Sequence, residues 1–318
     1  MRVSADIGRR AIRLVDELIN TAVLLTVIVL FAFGCYAIWD SNQVHHAAAA
    51  VRYEDYKPLD PHGISSFQDL QAINPEVLGW LTVYGTHIDY PVAQSDDNMK
   101  YINTDATGER SLSGSLFLDS KDSGDFADFS SIIYGHHMDR QTMFGEITQF
   151  SDKEYFDARR YGSLYFGGRQ HGLEFFAFLY ADAYDNAVYQ FKITGEAERQ
   201  AYLDMLMARA VNLRGDVPVT PGDRVVLLST CSSSATNGRG ILVGKLTDTV
   251  HDDTLQTSAP GESAVAVIGG LPGIAGRIPR WAGAAALFLL VGVAIVVAKR
   301  KRRTARRAPG ATWPLRRR

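Results

Sequence analysis

Cysteine is almost missing from this chain: its 318 residues include only Cys35 and Cys231. Cys35 lies inside a long apolar run, so no intramolecular disulfide with an exported domain is expected and a disulfide-stapled scaffold is excluded. No cluster of Cys, His and carboxylates has metal-ligand spacing, apart from the adjacent pair His136 and His137, whose side chains point to opposite faces of an extended chain. No metal and no cofactor are therefore expected. Internal repeats and a glycine-rich phosphate loop are absent as well.

Charge is missing from two stretches. Thr21 to Trp39 gives nineteen uncharged residues and Trp281 to Ala298 gives eighteen, each near the length a spanning helix needs. Arg9, Arg10 and Arg13 precede the first, and Lys299-Arg300-Lys301-Arg302-Arg303 follow the second. The positive-inside rule then puts both termini in the cytoplasm and the middle outside, a two-pass arrangement in contact with membrane lipid. Small residues at Ala47 to Ala50 offer a signal-peptidase site, but the apolar core is longer than a signal peptide's and the alanines lie well past its end, so an uncleaved anchor is expected. Residues 299–318 hold ten bases and no acid, whereas residues 19–298 keep 19 bases against 32 acids. An acidic middle excludes a nucleic-acid partner.

With 46% hydrophobic and 21% charged residues, the middle can build one substantial core. The expected divisions are a cytoplasmic N-terminus at 1–18, a membrane helix at 19–39 and a partly helical stalk at 40–63. A folded domain at 64–255, a Gly/Ala/Ser/Pro-rich linker at 256–280, a second membrane helix at 281–298 and the basic tail at 299–318 follow. Within the domain, short strand-like runs occur at Trp80 to Val83, His87 to Ala93, Ser115 to Asp119, Ser131 to Gly135, Ser163 to Phe166 and Leu173 to Tyr180. Glycine and aspartate clusters separate them, which predicts a mostly β domain with accessory helices, a closed antiparallel β-barrel. One long helical pattern, Glu196 to Ala210, carries Tyr202, Leu203, Leu206 and Met207 as an apolar stripe that reads as core packing.

The residues that carry chemistry gather around Cys231. It ends the apolar run Val225-Val226-Leu227-Leu228-Ser229-Thr230, and eight positions later Arg239 opens a second run, Ile241-Leu242-Val243. Paired as a hairpin, the two strands set a thiol beside a guanidinium. Upstream, Ser131-Ile132-Ile133-Tyr134-Gly135 reads as a strand delivering His136 to a loop. A free exported thiol risks oxidation, which favours function over packing, and Cys, His and Arg together suggest thiol-based acyl transfer.

Leu228-Ser229-Thr230-Cys231, followed by Thr236-Asn237-Gly238-Arg239, resembles the active-site hairpin of sortases, and Ile132-Ile133-Tyr134-Gly135-His136-His137-Met138 resembles the histidine segment of class B sortases. Val77-Leu78-Gly79-Trp80-Leu81, His87-Ile88-Asp89-Tyr90-Pro91-Val92, Asp97-Asn98 with Tyr101, and Gly114-Ser115-Leu116-Phe117-Leu118-Asp119 extend the likeness, in the family's order, over about residues 64 to 250. The resemblance implies a sortase-fold transpeptidase in which Cys231 forms a thioacyl intermediate with a C-terminal sorting signal, His136 acts as acid and base, and Arg239 holds the substrate carbonyl or its developing oxyanion. Its implied partners are secreted proteins bearing such a signal and an amine acceptor, on a cell-wall precursor or a pilin lysine. The second membrane helix and basic tail are similar instead to class C, the pilin polymerases, although no aspartate-aromatic lid of that class precedes the barrel.

Asn98, Tyr134 and Ser229 are candidate groove residues, each with a structural alternative: a turn asparagine, a packed tyrosine and a ladder serine. Asp119 is a further candidate, in the groove or supporting it, whose structural alternative is a strand-end aspartate bonding its own loop; for Asp119 and Ser229 the structural alternative is the reading taken. Two other functions stay open on the residues alone. One is an extracytoplasmic cysteine protease that hydrolyses rather than transfers. The other is a non-catalytic membrane scaffold with Cys231 merely buried.

Overall fold

A computed structural model of the chain describes residues 2–58, 64–231 and 237–255. The expected linker at 256–280, second membrane helix at 281–298 and basic tail lie outside the described residues. The chain divides into two compact units, and the folded domain belongs to the one that begins at Ser41.

Helix α1 runs over Arg2–Ala48. Within it Ile12–Ser41 is long and apolar enough to cross a membrane. Its large side chains stand in the open, Leu18 at 73% and Phe33 at 69% exposure. A helix apolar on all sides whose large side chains stand exposed suits lipid rather than water, which suggests a membrane anchor. A short 3-10 helix, Ala50–Tyr56, follows and buries Tyr53. Helix α2, Ile64–Ile73, then leads into the barrel and buries Phe67 and Leu70.

Nine strands make one sheet: β1 Val77–Val83, β2 Asp89–Ala93, β3 Leu116–Leu118, β4 Ser130–Gly135, β5 Tyr161–Phe166, β6 Arg169–Asp182, β7 Asn212–Leu213, β8 Arg224–Cys231 and β9 Gly238–Thr247. Their order is β5-β1-β2-β3-β4-β8-β9-β6-β7, and an added β5–β6 pairing closes the first eight into a barrel, with β7 attached at the edge of β6. The closed barrel expected from the sequence is present. The expectation that all of it is antiparallel needs correction, because β2 pairs β3 in parallel and β4 pairs β8 in parallel. Each of those pairs is joined through a long intervening segment, which a parallel crossover requires and which local alternation does not reveal.

Alternation along β8 divides the core. Val226 and Leu228 belong to one apolar cluster with Leu81, Val92, Ile133, Phe175 and Leu242. Val225 and Leu227 belong to the other, with Ile132, Leu179, Ile241 and Val243. Helix α3, Lys153–Ala158, is capped by Asp152, which accepts from the Tyr155 amide at 2.8 Å. Helix α4, Glu196–Arg209, buries Tyr202, Leu203 and Leu206 against the second cluster, so the stripe read from the sequence is core packing. Each such side chain contributes roughly 2 kcal/mol when buried. Leu227→Ala would remove one and leave a cavity, a loss of about 2–5 kcal/mol.

Candidate active site

Strand register brings the three chemical residues together. β4 and β8 pair in parallel up to Tyr134↔Ser229 and Gly135↔Thr230, and one step beyond that ladder the chain continues into His136 on one side and Cys231 on the other. β8 and β9 pair antiparallel and match Cys231 with Arg239. The ends of three neighbouring strands thus carry His136, Cys231 and Arg239 in a row. Gly135 is required by the crowding beside this row, because a Cβ there would come within 2.5 Å of Leu116 Cδ2 and 2.6 Å of Phe144 Cδ2, both in buried side chains.

His136 is half-buried, and its Nε2 lies 2.9 Å from the Ile102 carbonyl oxygen. A carbonyl can only accept, so Nε2 carries a hydrogen in this contact. The His136 carbonyl accepts from the Phe144 amide at 3.0 Å. His137 pairs with Met143 in an isolated bridge, and its Nδ1 is buried without a hydrogen-bond partner.

A cavity of about 240 Å³ opens over the strand ends, lined by Asn98, Ile102, Phe117, Tyr134, Gly135, His136, Ala183, Tyr189, Ser229, Thr230 and Arg239. A mainly apolar cleft with a few convergent polar groups is the usual form of a ligand site. It gathers His136 and Arg239 with Asn98, Tyr134 and Ser229, while Cys231 follows Thr230 in β8. Tyr189 escaped the sequence reading, and so did two of the partners of Asp119. Tyr189, in the connection between β6 and α4, stacks on Tyr134 with ring centroids 6.3 Å apart, and its hydroxyl lies 3.0 Å from Ser229 Oγ. Asp119 does bond its own loop, as read, through the Lys121 amide at 2.9 Å. It also accepts from Asn98 Nδ2 at 2.8 Å and from the Tyr134 hydroxyl at 3.0 Å.

Burial, and then the neighbouring Asp119, push the Tyr134 phenol well above its ordinary pKa, so it stays neutral. Behind this wall Asp122 is pushed up to about 7, first by burial and further by Asp119 and Asp128, against the Ile132 amide that it accepts at 2.7 Å. Among the described residues, no group of three or more His, Cys, Asp or Glu is arranged to hold a metal.

No family model matches the chain. It is 33% identical over 203 residues to the sortase B of Listeria monocytogenes, covering 63% of this chain and 82% of that protein. Among solved structures, the sortase B from the type II pilus of Streptococcus pneumoniae is 48% identical with a TM-score of 0.51, covering 57% of this chain and 99% of that one. A Streptococcus pyogenes class B sortase involved in pilus biogenesis is 38% identical with a TM-score of 0.52, over 57% and 97% of the two chains. The chain belongs to the sortase family of cysteine transpeptidases. Within that family it is class B-like.

Proposed function

We propose that the chain is an extracytoplasmic transpeptidase that joins a secreted protein, through its cleaved C-terminal sorting signal, to an amine. The observation that carries this reading is the row of His136, Cys231 and Arg239 at three adjacent strand ends, with His136 and Arg239 lining one cavity. Cys231, as thiolate, attacks the scissile carbonyl; a C–S bond forms, the C–N bond breaks, and the departing amine takes a proton from His136. An incoming amine then attacks the thioacyl carbon, releases the Cys231 thiolate and gives its proton to His136. Arg239 supplies a fixed positive charge to the oxyanion of both steps.

For the acceptor, a pilin amine is favoured over a wall peptide. The two relatives whose names speak of a pilus are 48% and 38% identical to this chain, against 33% for the Listeria protein. The chain would be held by α1 and by a second span at 281–298, with both termini cytoplasmic, and reporter fusions after Ser258 and after Arg318 test that arrangement.

The chemistry is tested with synthetic peptides covering the C-terminal signals of secreted proteins encoded in the same genome. Mass spectrometry should find Cys231 acylated by the N-terminal fragment of at least one, and an added amine should divert product from acid to amide. A product that remains the acid at any amine concentration would instead define a protease.

A further inference from the structure

Asn98 and Tyr134 line the cavity from different segments, and both donate to the same atom, Asp119 Oδ2, at 2.8 and 3.0 Å. The other oxygen of that carboxylate accepts from the Lys121 amide at 2.9 Å. The Asp119 main chain is pinned as firmly, since its amide donates to the Ile132 carbonyl at 2.9 Å and its carbonyl accepts from Gln94 Nε2 at 2.8 Å. Asp119 is 1% exposed and three donors converge on it, which is how a buried carboxylate is satisfied.

We propose that Asp119 is a positioning residue of the transpeptidase, fixing the hydrogen-bond polarity with which Asn98 and Tyr134 meet an extended peptide. The Asn98 amide cannot turn over: Oδ1 accepts from the Ser120 amide at 2.8 Å, so Nδ2 faces Asp119. One Nδ2 hydrogen goes to the carboxylate and the second is left for a ligand carbonyl. The Tyr134 hydroxyl hydrogen is likewise committed to Asp119, so its oxygen meets a ligand only as an acceptor, for a peptide N–H. The wall therefore offers one donor and one acceptor, the complement of a peptide unit in extended chain. This inference rests on the transpeptidase reading and adds to it a residue that does not touch the substrate.

The isosteric change Asp119→Asn tests it. With the new NH₂ at the δ1 side, it faces the Lys121 amide, donor against donor. At the δ2 side it faces Asn98 Nδ2 and forces the Tyr134 hydroxyl to turn round and accept. The first arrangement keeps an oxygen towards Asn98 and Tyr134 but removes its charge and its tie to Lys121, and the second reverses the wall's polarity; both loosen the wall with almost no change of volume.

Acylation kinetics with a peptide that acylates Cys231 should show kcat/KM about tenfold to a hundredfold lower, carried by KM. In an Asn98→Ala/Tyr134→Phe background, Asp119→Asn should cost little more, because the two residues through which it acts are gone. An unchanged KM in Asp119→Asn, or the same loss in both backgrounds, would overturn the proposal. Should Asp119→Asn fail to fold, the cycle between Asn98→Ala and Tyr134→Phe decides with Asp119 intact. Donors that share one oxygen should be coupled, and strict additivity would overturn the proposal. A failure of the transpeptidase reading looks different: no peptide would acylate Cys231 in the unaltered protein.

Discussion

Tyr90→Phe should loosen the loop that follows His136 as well as lower stability. Tyr90 is 2% exposed, and its hydroxyl donates to the Ala48 carbonyl at 2.9 Å while accepting from the Met143 amide at 3.0 Å. Burial raises the pKa of this phenol, so it keeps the proton it donates. Phenylalanine fills the same space and removes only the oxygen, leaving one buried carbonyl and one buried N–H without partners. Each lost bond and stranded group costs on the order of 1–2 kcal/mol, so the total is about 2–4 kcal/mol.

The functional link is Met143, which closes the loop between His137 and Phe144. Arg140, Gln141 and Met143 there all have positive φ, a conformation that persists only where the surroundings enforce it. Urea unfolding of the full chain in detergent would read the stability loss, and amide exchange at Met143 should quicken in Tyr90→Phe. Acylation of Cys231 should slow with it. A loss below about 0.5 kcal/mol, together with unchanged protection of Met143, would refute the brace.

Arg239→Lys should be nearly as damaging as Arg239→Ala, each raising the acylation barrier by on the order of 3 kcal/mol, because lysine keeps the charge and loses the planar fork. Acylation rates of both variants read this, and rescue by lysine would show that charge alone is what the site uses. His136→Ala should form little or no thioacyl intermediate, while His137→Ala should be far milder; the reverse ranking would reassign the acid and base. Asp122 should make the fold less stable as pH rises. Its pKa near 7 lies above the ordinary carboxylate value of about 3.9, so the folded state holds the proton more tightly. That contribution is complete below about pH 4 and is lost as pH rises through about 7. In Asp122→Asn, Tm between pH 4 and 8 should depend less on pH and be higher at pH 8, and an unaltered slope would refute the assignment.

What the sequence reveals and what it hides follows from the range of the interactions. β4 and β8 are dense in β-branched and leucine residues, and α4 shows a clean apolar stripe, so local pattern suffices for each. β6 runs for 14 residues, with a register shift between Phe175 and Ala177, because it pairs with β5, β7 and β9. Nothing local announces that length. Tyr189 sits in a connection without periodicity, and only the fold lays it on Tyr134. Asp119 is the more instructive case. Its bond to Lys121 is two residues away and legible, whereas its bonds to Asn98 and Tyr134 span 21 and 15 residues and depend on how three segments meet.

The direction of one strand pairing decides whether a site exists at all. β8 and β9 form a hairpin, so Cys231 and Arg239 meet whatever the rest of the chain does. His136 has no such local tie. Because β4 lies parallel to β8, Gly135 is level with Thr230 and both strands deliver their next residue at the same end of the barrel. Had the same two strands paired antiparallel over these residues, Gly135 would stand opposite Val225. His136 would then stand level with Arg224, seven residues from Cys231, and at about 3.3 Å per residue the two would lie roughly 23 Å apart. A thiol and an imidazole that far apart cannot exchange a proton. The parallel β4–β8 ladder, invisible in any local pattern, is therefore the element of the fold on which the chemistry proposed for Cys231 depends.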